Sequence, residues 1–131
     1  PINTKEDEIR ILINNTIGYA NVYNYETKEQ GEIYNFKKLN GYDKYDIYLS
    51  GATPLIEISN SNNKENKTLI IFRDSYASSL APLLTEGYSK ITLVDTRYIS
   101  PKILNEYVDF ENADILFLYS TLVINSSMAL K

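Results

Sequence analysis

The pattern of hydrophobic and polar positions along the chain changes near Lys64. Before that point, short apolar stretches alternate with polar turns, which is typical of short strands and hairpins. We expect strands at residues 9–13, 17–25, 32–36, 47–49 and 55–58. In the second of these segments aromatic side chains recur at alternate positions. A polar stretch just before Gly31 is typical of a hairpin loop.

After Lys64 the chain has three nearly continuous apolar runs separated by helical patterns. The runs at residues 68–72, 91–94 and 115–119 are typical of strands that are buried on both faces. Apolar side chains at helical spacing predict helices near 76–86 and 101–110. Ser100 is placed to cap the second helix, and Pro101 suits its first position. This β-α-β-α-β order predicts right-handed crossovers and parallel strands.

These elements predict a single α/β domain. A chain of 131 residues is long enough for one hydrophobic core. Residues 1–63 would form a strand-rich part, and residues 64–131 the β-α-β-α-β part. Because the chain opens with Pro1 and not with methionine, we expect it to be a piece of a longer protein.

Composition excludes several kinds of chemistry. The sequence has no cysteine and no histidine, so it cannot form a disulfide, a thiolate metal site or a complete Ser-His-Asp triad by itself. No glycine-rich loop follows a predicted strand, and we expect neither a cofactor nor a metal. The net charge of −4 is unfavourable for binding nucleic acid. No apolar run approaches the roughly 18 residues of a membrane span, and no signal peptide is recognisable.

The position that most suggests chemistry is the end of the first buried strand. In an open parallel sheet, ligands bind beyond the carboxyl ends of the strands, and Asp74 and Ser75 follow the strand at 68–72. A serine hydroxyl there is well placed for a nucleophile, because N–H groups at the start of the next helix would favour a developing negative charge. Aspartate and serine are also favoured helix caps. A purely structural cap is therefore the alternative interpretation.

The other two strand ends allow the same pair of interpretations. Asp95 could orient a base or pair with Arg97, and we favour the ion pair. Residues 119–121 carry hydroxyl groups that could reach a ligand. Packing at the edge of the sheet is the simpler interpretation for them.

Residues from about 45 to 122 resemble the C-terminal part of the DHHW family of bacterial proteins, which is similar to the SGNH-hydrolase superfamily. The segments that carry the resemblance are 43–51, 68–77, 94–98 and 116–119, with Asp-Ser-Tyr-Ala at 74–77 as the most specific. The resemblance implies a flavodoxin-like three-layer α/β/α sandwich. It also implies that Ser75 is the nucleophile and that Asp74 supports the turn.

The same resemblance implies an esterase or O-acetyltransferase that modifies cell-envelope or secreted polysaccharide, with an extracellular or envelope location. This sequence departs from the family in two places. The Asp-His-His-Trp motif is absent, and in the family it lies N-terminal to the Asp-Ser-Tyr-Ala segment. Gly51 is the candidate oxyanion turn, but it is followed by Ala52 where we expect an asparagine-like donor. We therefore expect this chain alone to be inactive.

A non-catalytic polysaccharide- or protein-binding module on the same fold is the alternative. It would use a tyrosine-rich surface that includes Tyr19, Tyr23, Tyr25 and Tyr34. An upstream segment with the Asp-His-His-Trp motif would favour the enzyme, and a different upstream module would favour the binding protein. The sequence leaves the substrate, the acyl donor and the oligomeric state open.

Overall fold

The structure is a computed structural model that describes residues 8–126. Its strands are β1 (Asn21–Asn24), β2 (Glu29–Gly31), β3 (Leu55–Ser59), β4 (Thr68–Arg73), β5 (Lys90–Val94) and β6 (Ala113–Leu118). Its α-helices are α1 (Asn15–Gly18), α2 (Ala77–Leu80) and α3 (Thr121–Ile124). Segments of 3₁₀-helix lie at Phe36–Asn40, Lys44–Ile47, Ala81–Glu86 and Pro101–Glu106.

All six strands form one mixed sheet in the order β2-β1-β3-β5-β4-β6. β4 is parallel to both β5 and β6, and Phe72 pairs with Val94 on one side and with Phe117 on the other. β3 is antiparallel to β1 and to β5. The predicted parallel arrangement of the three apolar runs is confirmed. The architecture is α/β with a six-stranded mixed sheet.

Apolar side chains on the two faces of this sheet form two separate core clusters. The first joins Ile71 to Ala77, in the connection after β4. The second joins Ile70 to Leu104, in the connection after β5. Neighbouring residues of β4 enter different clusters because successive side chains of a strand point to opposite faces. The two connections therefore cover opposite faces of the sheet.

The predicted helices near 76–86 and 101–110 are largely 3₁₀-helix, and the second is shorter than expected. α2 has only four residues and continues as a 3₁₀ segment from Ala81. Pro82 explains the change, because proline has no N–H for an α-helical hydrogen bond. Ser100 caps the 3₁₀ segment Pro101–Glu106 as predicted. Its Oγ accepts a hydrogen bond from the N–H of Lys102 at 3.4 Å. That segment ends at Glu106, which is four residues before the predicted end.

Two predicted strands in the N-terminal part are wrong or misplaced. Residues 9–13 form no regular element, because tyrosine hydroxyls bind this backbone: Tyr34 donates to the carbonyl of Leu12 at 2.9 Å. The expected strand at 17–25 begins only at β1. Its first residues form α1 instead, since the side chain of Asn14 accepts the N–H of Ile17 at 2.8 Å and starts a helical turn.

The next two predicted strands also differ from the structure. The strand expected at 32–36 lies earlier, at β2, where it completes the predicted hairpin with β1. The segment 47–49 is not a strand, because the capping side chain of Asp43 starts the 3₁₀ turn Lys44–Ile47. The predicted strand at 55–58 is confirmed as β3.

The carboxyl ends of β4 and β5 mark the place where a ligand site is expected. These neighbouring parallel strands lead into connections on opposite faces, and open α/β sheets bind ligands at such a point. Ser75 lies just beyond one end and Asp95 just beyond the other. Among the helices of residues 8–126, none is long and apolar enough to cross a membrane.

Candidate active site

Ser75 lies in the turn between β4 and α2 with its side chain partly exposed. α2 has Tyr76 at its N-cap position, and no side chain caps the helix. Within residues 8–126, the Oγ of Ser75 makes no hydrogen bond. The hydroxyl is therefore not used as a cap, which contradicts the structural interpretation of Ser75. Its role as a nucleophile remains a prediction.

Asp74 makes the hydrogen bonds that shape this turn. Its carboxylate is buried and accepts the N–H of Tyr76 at 3.1 Å and the N–H of Ser120 at 2.6 Å. Burial by itself opposes ionisation, but hydrogen bonds from Ser120 and Tyr76, together with the positive charge of Arg97, outweigh it and hold the pKa of Asp74 below its usual range. Asp74 thus ties the end of β4 to the residues that follow β6. This is the geometry expected of a carboxylate that supports the turn.

The helical stretch after Ser75 runs from Ala77 to Glu86, as α2 and then as 3₁₀-helix. The expectation that N–H groups at its start favour a developing negative charge stays a prediction. Such a charge at Ser75 would be bound by individual N–H groups. The N–H of Ser75 itself is one candidate, since it has no acceptor within residues 8–126.

The turn at Gly51 has a strained backbone. Leu49, Ser50 and Gly51 have positive φ values of 55°, 64° and 104° in succession. A Cβ placed on Gly51 would lie 2.8 Å from Oδ1 of Asp46, so only glycine fits there. Two consecutive non-glycine residues in this region are costly and persist only where the surrounding structure holds them.

The N–H of Gly51 is already used inside its own turn, where it donates to the carbonyl of Tyr48 at 3.1 Å. The next N–H, that of Ala52, has no acceptor within residues 8–126, and Ala52 is exposed. The candidate oxyanion donor of this turn is therefore the Ala52 backbone and not that of Gly51. Sequence reasoning missed it because only the folded backbone shows which N–H groups are occupied.

Two side chains connect the Gly51 segment to the Ser75 turn. The hydroxyl of Tyr45 lies 2.9 Å from the carbonyl of Tyr76 and 2.9 Å from Oγ of Ser79. The guanidinium of Arg73 donates to the carbonyl of Thr53 at 3.2 Å. Tyr45 and Thr53 stand on either side of Gly51 in the chain. Both ends of this segment are thus attached to residues that flank Ser75.

Four charged side chains lie at the carboxyl ends of β4 and β5. Arg73 and Asp95 are completely buried, and Arg97 binds Asp95 through two hydrogen bonds of 2.9 Å and 2.7 Å. These hydrogen bonds raise the pKa of Arg97. The predicted pairing of Asp95 with Arg97 is confirmed, and it occupies the carboxylate that could otherwise have oriented a base. With Asp74, the four groups carry two positive and two negative charges.

The hydroxyl groups that follow β6 take part in internal hydrogen bonds. The phenol of Tyr119 lies 3.3 Å from Oγ1 of Thr96. Ser120 caps α3 by accepting the N–H of Val123 at 3.4 Å. Both observations agree with a structural interpretation of residues 119–121.

A cavity of about 260 Å³ borders the site, because Tyr48 and Ser79 help to line it. Neither Ser75 nor Gly51 does. A nucleophilic Ser75 should lie in a concavity that the Gly51 turn also borders, and this stays a prediction. In the part of the chain that the structure describes, no cluster of three or more histidine, cysteine or acidic side chains is arranged to hold a metal ion.

Comparison with solved structures decides which fold this site belongs to. A DHHW-family protein from Eubacterium siraeum superposes on 85% of this chain with a TM-score of 0.60 and 20% identity. Over most of its length, this chain folds like a DHHW-family protein. The resemblance noted in the sequence is thus confirmed at the level of the fold.

PatB1 from Bacillus cereus, in a structure with a sulfonyl adduct, superposes on 84% of the chain with a TM-score of 0.58 and 19% identity. The chain spans only about two fifths of either protein, 38% of the first and 39% of the second. No protein-family model and no curated protein matches the sequence significantly.

Proposed function

We propose that this chain is the C-terminal part of a bacterial DHHW-family, SGNH-hydrolase-like protein with a flavodoxin-like domain. The protein acts on cell-envelope or secreted polysaccharide, outside the cell or at its envelope, by O-acetyl transfer or ester hydrolysis. One observation carries the proposal. Asp74 makes the hydrogen bonds of the turn, and the hydroxyl of Ser75, at the carboxyl edge of the sheet, has no hydrogen-bond partner within residues 8–126.

In the proposed reaction, Oγ of Ser75 attacks the carbonyl carbon of an acyl ester and loses its proton to a base. The tetrahedral oxyanion is bound by backbone N–H groups, for which Ser75 and Ala52 are the candidates. The C–O bond of the ester then breaks, the alcohol leaves with a proton, and an acyl-serine remains. A sugar hydroxyl or water attacks this intermediate and regenerates Ser75.

The base of this reaction lies outside the chain. The sequence contains no histidine, and Asp95, the buried carboxylate that follows β5, is bound by Arg97. The segment with the Asp-His-His-Trp motif, N-terminal to this part in the family, would supply the imidazole. We therefore propose that the chain alone is inactive and that its hydroxyl becomes reactive when an imidazole is provided.

The binding-module alternative has weaker support. Two of the four tyrosines that suggested it use their hydroxyls internally: Tyr25 donates to Glu57 at 3.2 Å, and Tyr34 to Leu12. Tyr23 packs edge-to-face on Tyr25 with ring centroids 4.9 Å apart, and it lines a surface groove with Asn21 and other polar residues. That groove is the one observation in favour of polysaccharide binding without catalysis.

A labelling experiment tests the proposed nucleophile. The 131-residue chain is treated with phenylmethylsulfonyl fluoride in the presence of free imidazole, and the adduct is located by peptide mass spectrometry. We expect one adduct on Ser75, which disappears in Ser75→Ala. The matched control is Ser61→Ala, because Ser61 is exposed in the loop that precedes β4; this variant should be labelled like the wild type. Equal labelling of Ser75→Ala, or none in the wild type, would contradict the proposal.

A further inference from the structure

Arg73 is the last residue of β4 and lies two positions before Ser75. Its side chain is completely buried. Besides the carbonyl of Thr53, the guanidinium donates to Oγ of Ser78 at 3.3 Å and to the carbonyl of Asp74 at 3.4 Å. It therefore touches the segment after Gly51 and the turn around Ser75 at the same time.

The surroundings of Arg73 are unusual for a buried cation. Within residues 8–126 it has no carboxylate oxygen within 4.0 Å, and its Nε has no hydrogen-bond partner. All of its acceptors are neutral. Burial lowers the pKa of the guanidinium from its ordinary value. A buried charge without a direct ion pair is destabilising, and the nearby carboxylates of Asp95 and Asp74 offset the burial of Arg73 only in part.

The position of its acceptors indicates what Arg73 does. Thr53 follows the strained turn Leu49–Gly51 by two residues, and such a turn keeps its shape only when its ends are held. On the other side, Ser78 and Asp74 bracket Ser75. A planar guanidinium has donors in several fixed directions, which allows one side chain to hold both segments.

We propose that Arg73 is a positioning residue that holds the Gly51 turn in place against the Ser75 turn. The inference rests on the proposed function, because it concerns the distance between the Ser75 hydroxyl and the N–H of Ala52. Arg73 does not touch the substrate. Its effect is to hold the attacking oxygen and the oxyanion donor at a fixed distance from each other while the acyl group is transferred.

A purely electrostatic role is the competing explanation, and lysine separates the two. Lysine keeps the positive charge, but its donors radiate from one nitrogen atom, so it cannot reach the carbonyl of Thr53 and Oγ of Ser78 with Arg73's geometry. If Arg73 acts as a bridge, Arg73→Lys and Arg73→Met should be impaired alike. If its charge alone matters, Arg73→Lys should behave like the wild type.

The experiment measures the rate of sulfonyl labelling of Ser75, with free imidazole, over a range of reagent concentrations. We expect the limiting rate to fall about tenfold or more in Arg73→Lys and Arg73→Met, because a displacement of about 1 Å can cost up to 10²-fold. The concentration for half-maximal rate should change less than about twofold, since the reagent does not touch Arg73. Arg10→Met is the matched control, because Arg10 is exposed and pairs only with Glu8 in residues 8–126.

Hydrogen exchange of the Gly51 N–H, which donates to the carbonyl of Tyr48, provides a second readout. It should be faster in both Arg73 variants and unchanged in Arg10→Met. If the folded Arg73 variants are labelled at the wild-type rate and show wild-type hydrogen exchange, the role of Arg73 is overturned and the proposed function stays intact. The same conclusion follows if Arg73→Lys alone is labelled at the wild-type rate. Absence of labelling in the wild type would overturn the proposed function and this inference with it. If Arg73→Met does not fold, Arg73→Lys decides by the same two readouts.

Discussion

The two halves of this molecule are held together in different ways. In the half that contains β4, β5 and β6, the backbone is organised by parallel pairing of apolar strands that pack on both faces. In the half before β3, side chains hold the backbone: Asn14, Asn35 and Asp43 each cap a short helical turn. The first kind of structure depends on buried apolar area. The second adds individual polar contacts to a few buried apolar residues such as Ile17, Val22 and Ile33.

The candidate site takes one component from each half. β4 ends at Arg73 and leads directly into Asp74 and Ser75, and its position is set by two neighbouring strands. The Gly51 turn belongs to the other half, where a strained backbone is held by a few hydrogen bonds. In the proposed site, the sheet therefore places Ser75, and polar contacts place the Ala52 N–H.

The largest expected effect comes from the parallel half. Ile71 is completely buried, and Ile71→Ala should lower the free energy of unfolding by about 2–5 kcal/mol because it leaves a cavity. Urea denaturation measures this change. Leu122→Ala is the control, since Leu122 is 79% exposed and its truncation should cost less than about 0.5 kcal/mol. Equal effects of the two changes would mean that apolar burial does not dominate this half.

Asp74→Asn tests the contact that joins the end of β4 to the residues after β6. We expect it to lower the free energy of unfolding by about 1.5–3 kcal/mol at neutral pH, because hydrogen bonds to a charged acceptor are lost. Since folding lowers the pKa of Asp74, its contribution is complete above the ordinary pKa of about 3.9. It is lost as the pH falls through the lower value of the folded protein.

Measurement of urea stability from neutral pH down to about pH 2 checks this dependence. The difference between the wild type and Asp74→Asn should shrink with acidification. A difference that stays constant over that range would show that the carboxylate charge of Asp74 does not stabilise the turn.

Gly51→Ala probes the half that is held by polar contacts. We expect a loss of about 1–3 kcal/mol, from the positive φ and from the approach of the new Cβ to Asp46. Gly18→Ala is the matched control, because a Cβ there meets no atom within 4 Å. Thermal unfolding of the two variants measures the difference. Similar melting temperatures would show that the turn relaxes without cost.

The smallest expected effect concerns activity. Without added imidazole, the chain should hydrolyse p-nitrophenyl acetate no faster than Ser75→Ala, because no histidine is present to accept the proton. The release of p-nitrophenol measures both rates. A clear Ser75-dependent rate would show that another group of this chain acts as the base, and that the site is complete without an upstream segment.

The sequence predicted part of the candidate site. Asp74 and Ser75 could be singled out because they follow an apolar strand, and the pairing of Asp95 with Arg97 was expected from their spacing. Ala52 and Tyr45 could not be found in this way, since their contacts join segments that are distant in the chain. Arg73 gave one signal, a charged residue at the end of a strand buried on both faces, but its acceptors become visible only in the fold.

By itself, the sequence determined the parallel core of this protein, the strand at 55–58 and the absence of an internal imidazole base. Apolar runs such as 68–72 have one favourable arrangement, in which both faces are covered, and local pattern is then sufficient. Only the tertiary structure decided the strand-rich half, where capping side chains such as Asn14 override a strand pattern. It also decided which backbone N–H groups near Ser75 are occupied, because hydrogen bonds between distant segments depend on how the whole chain packs.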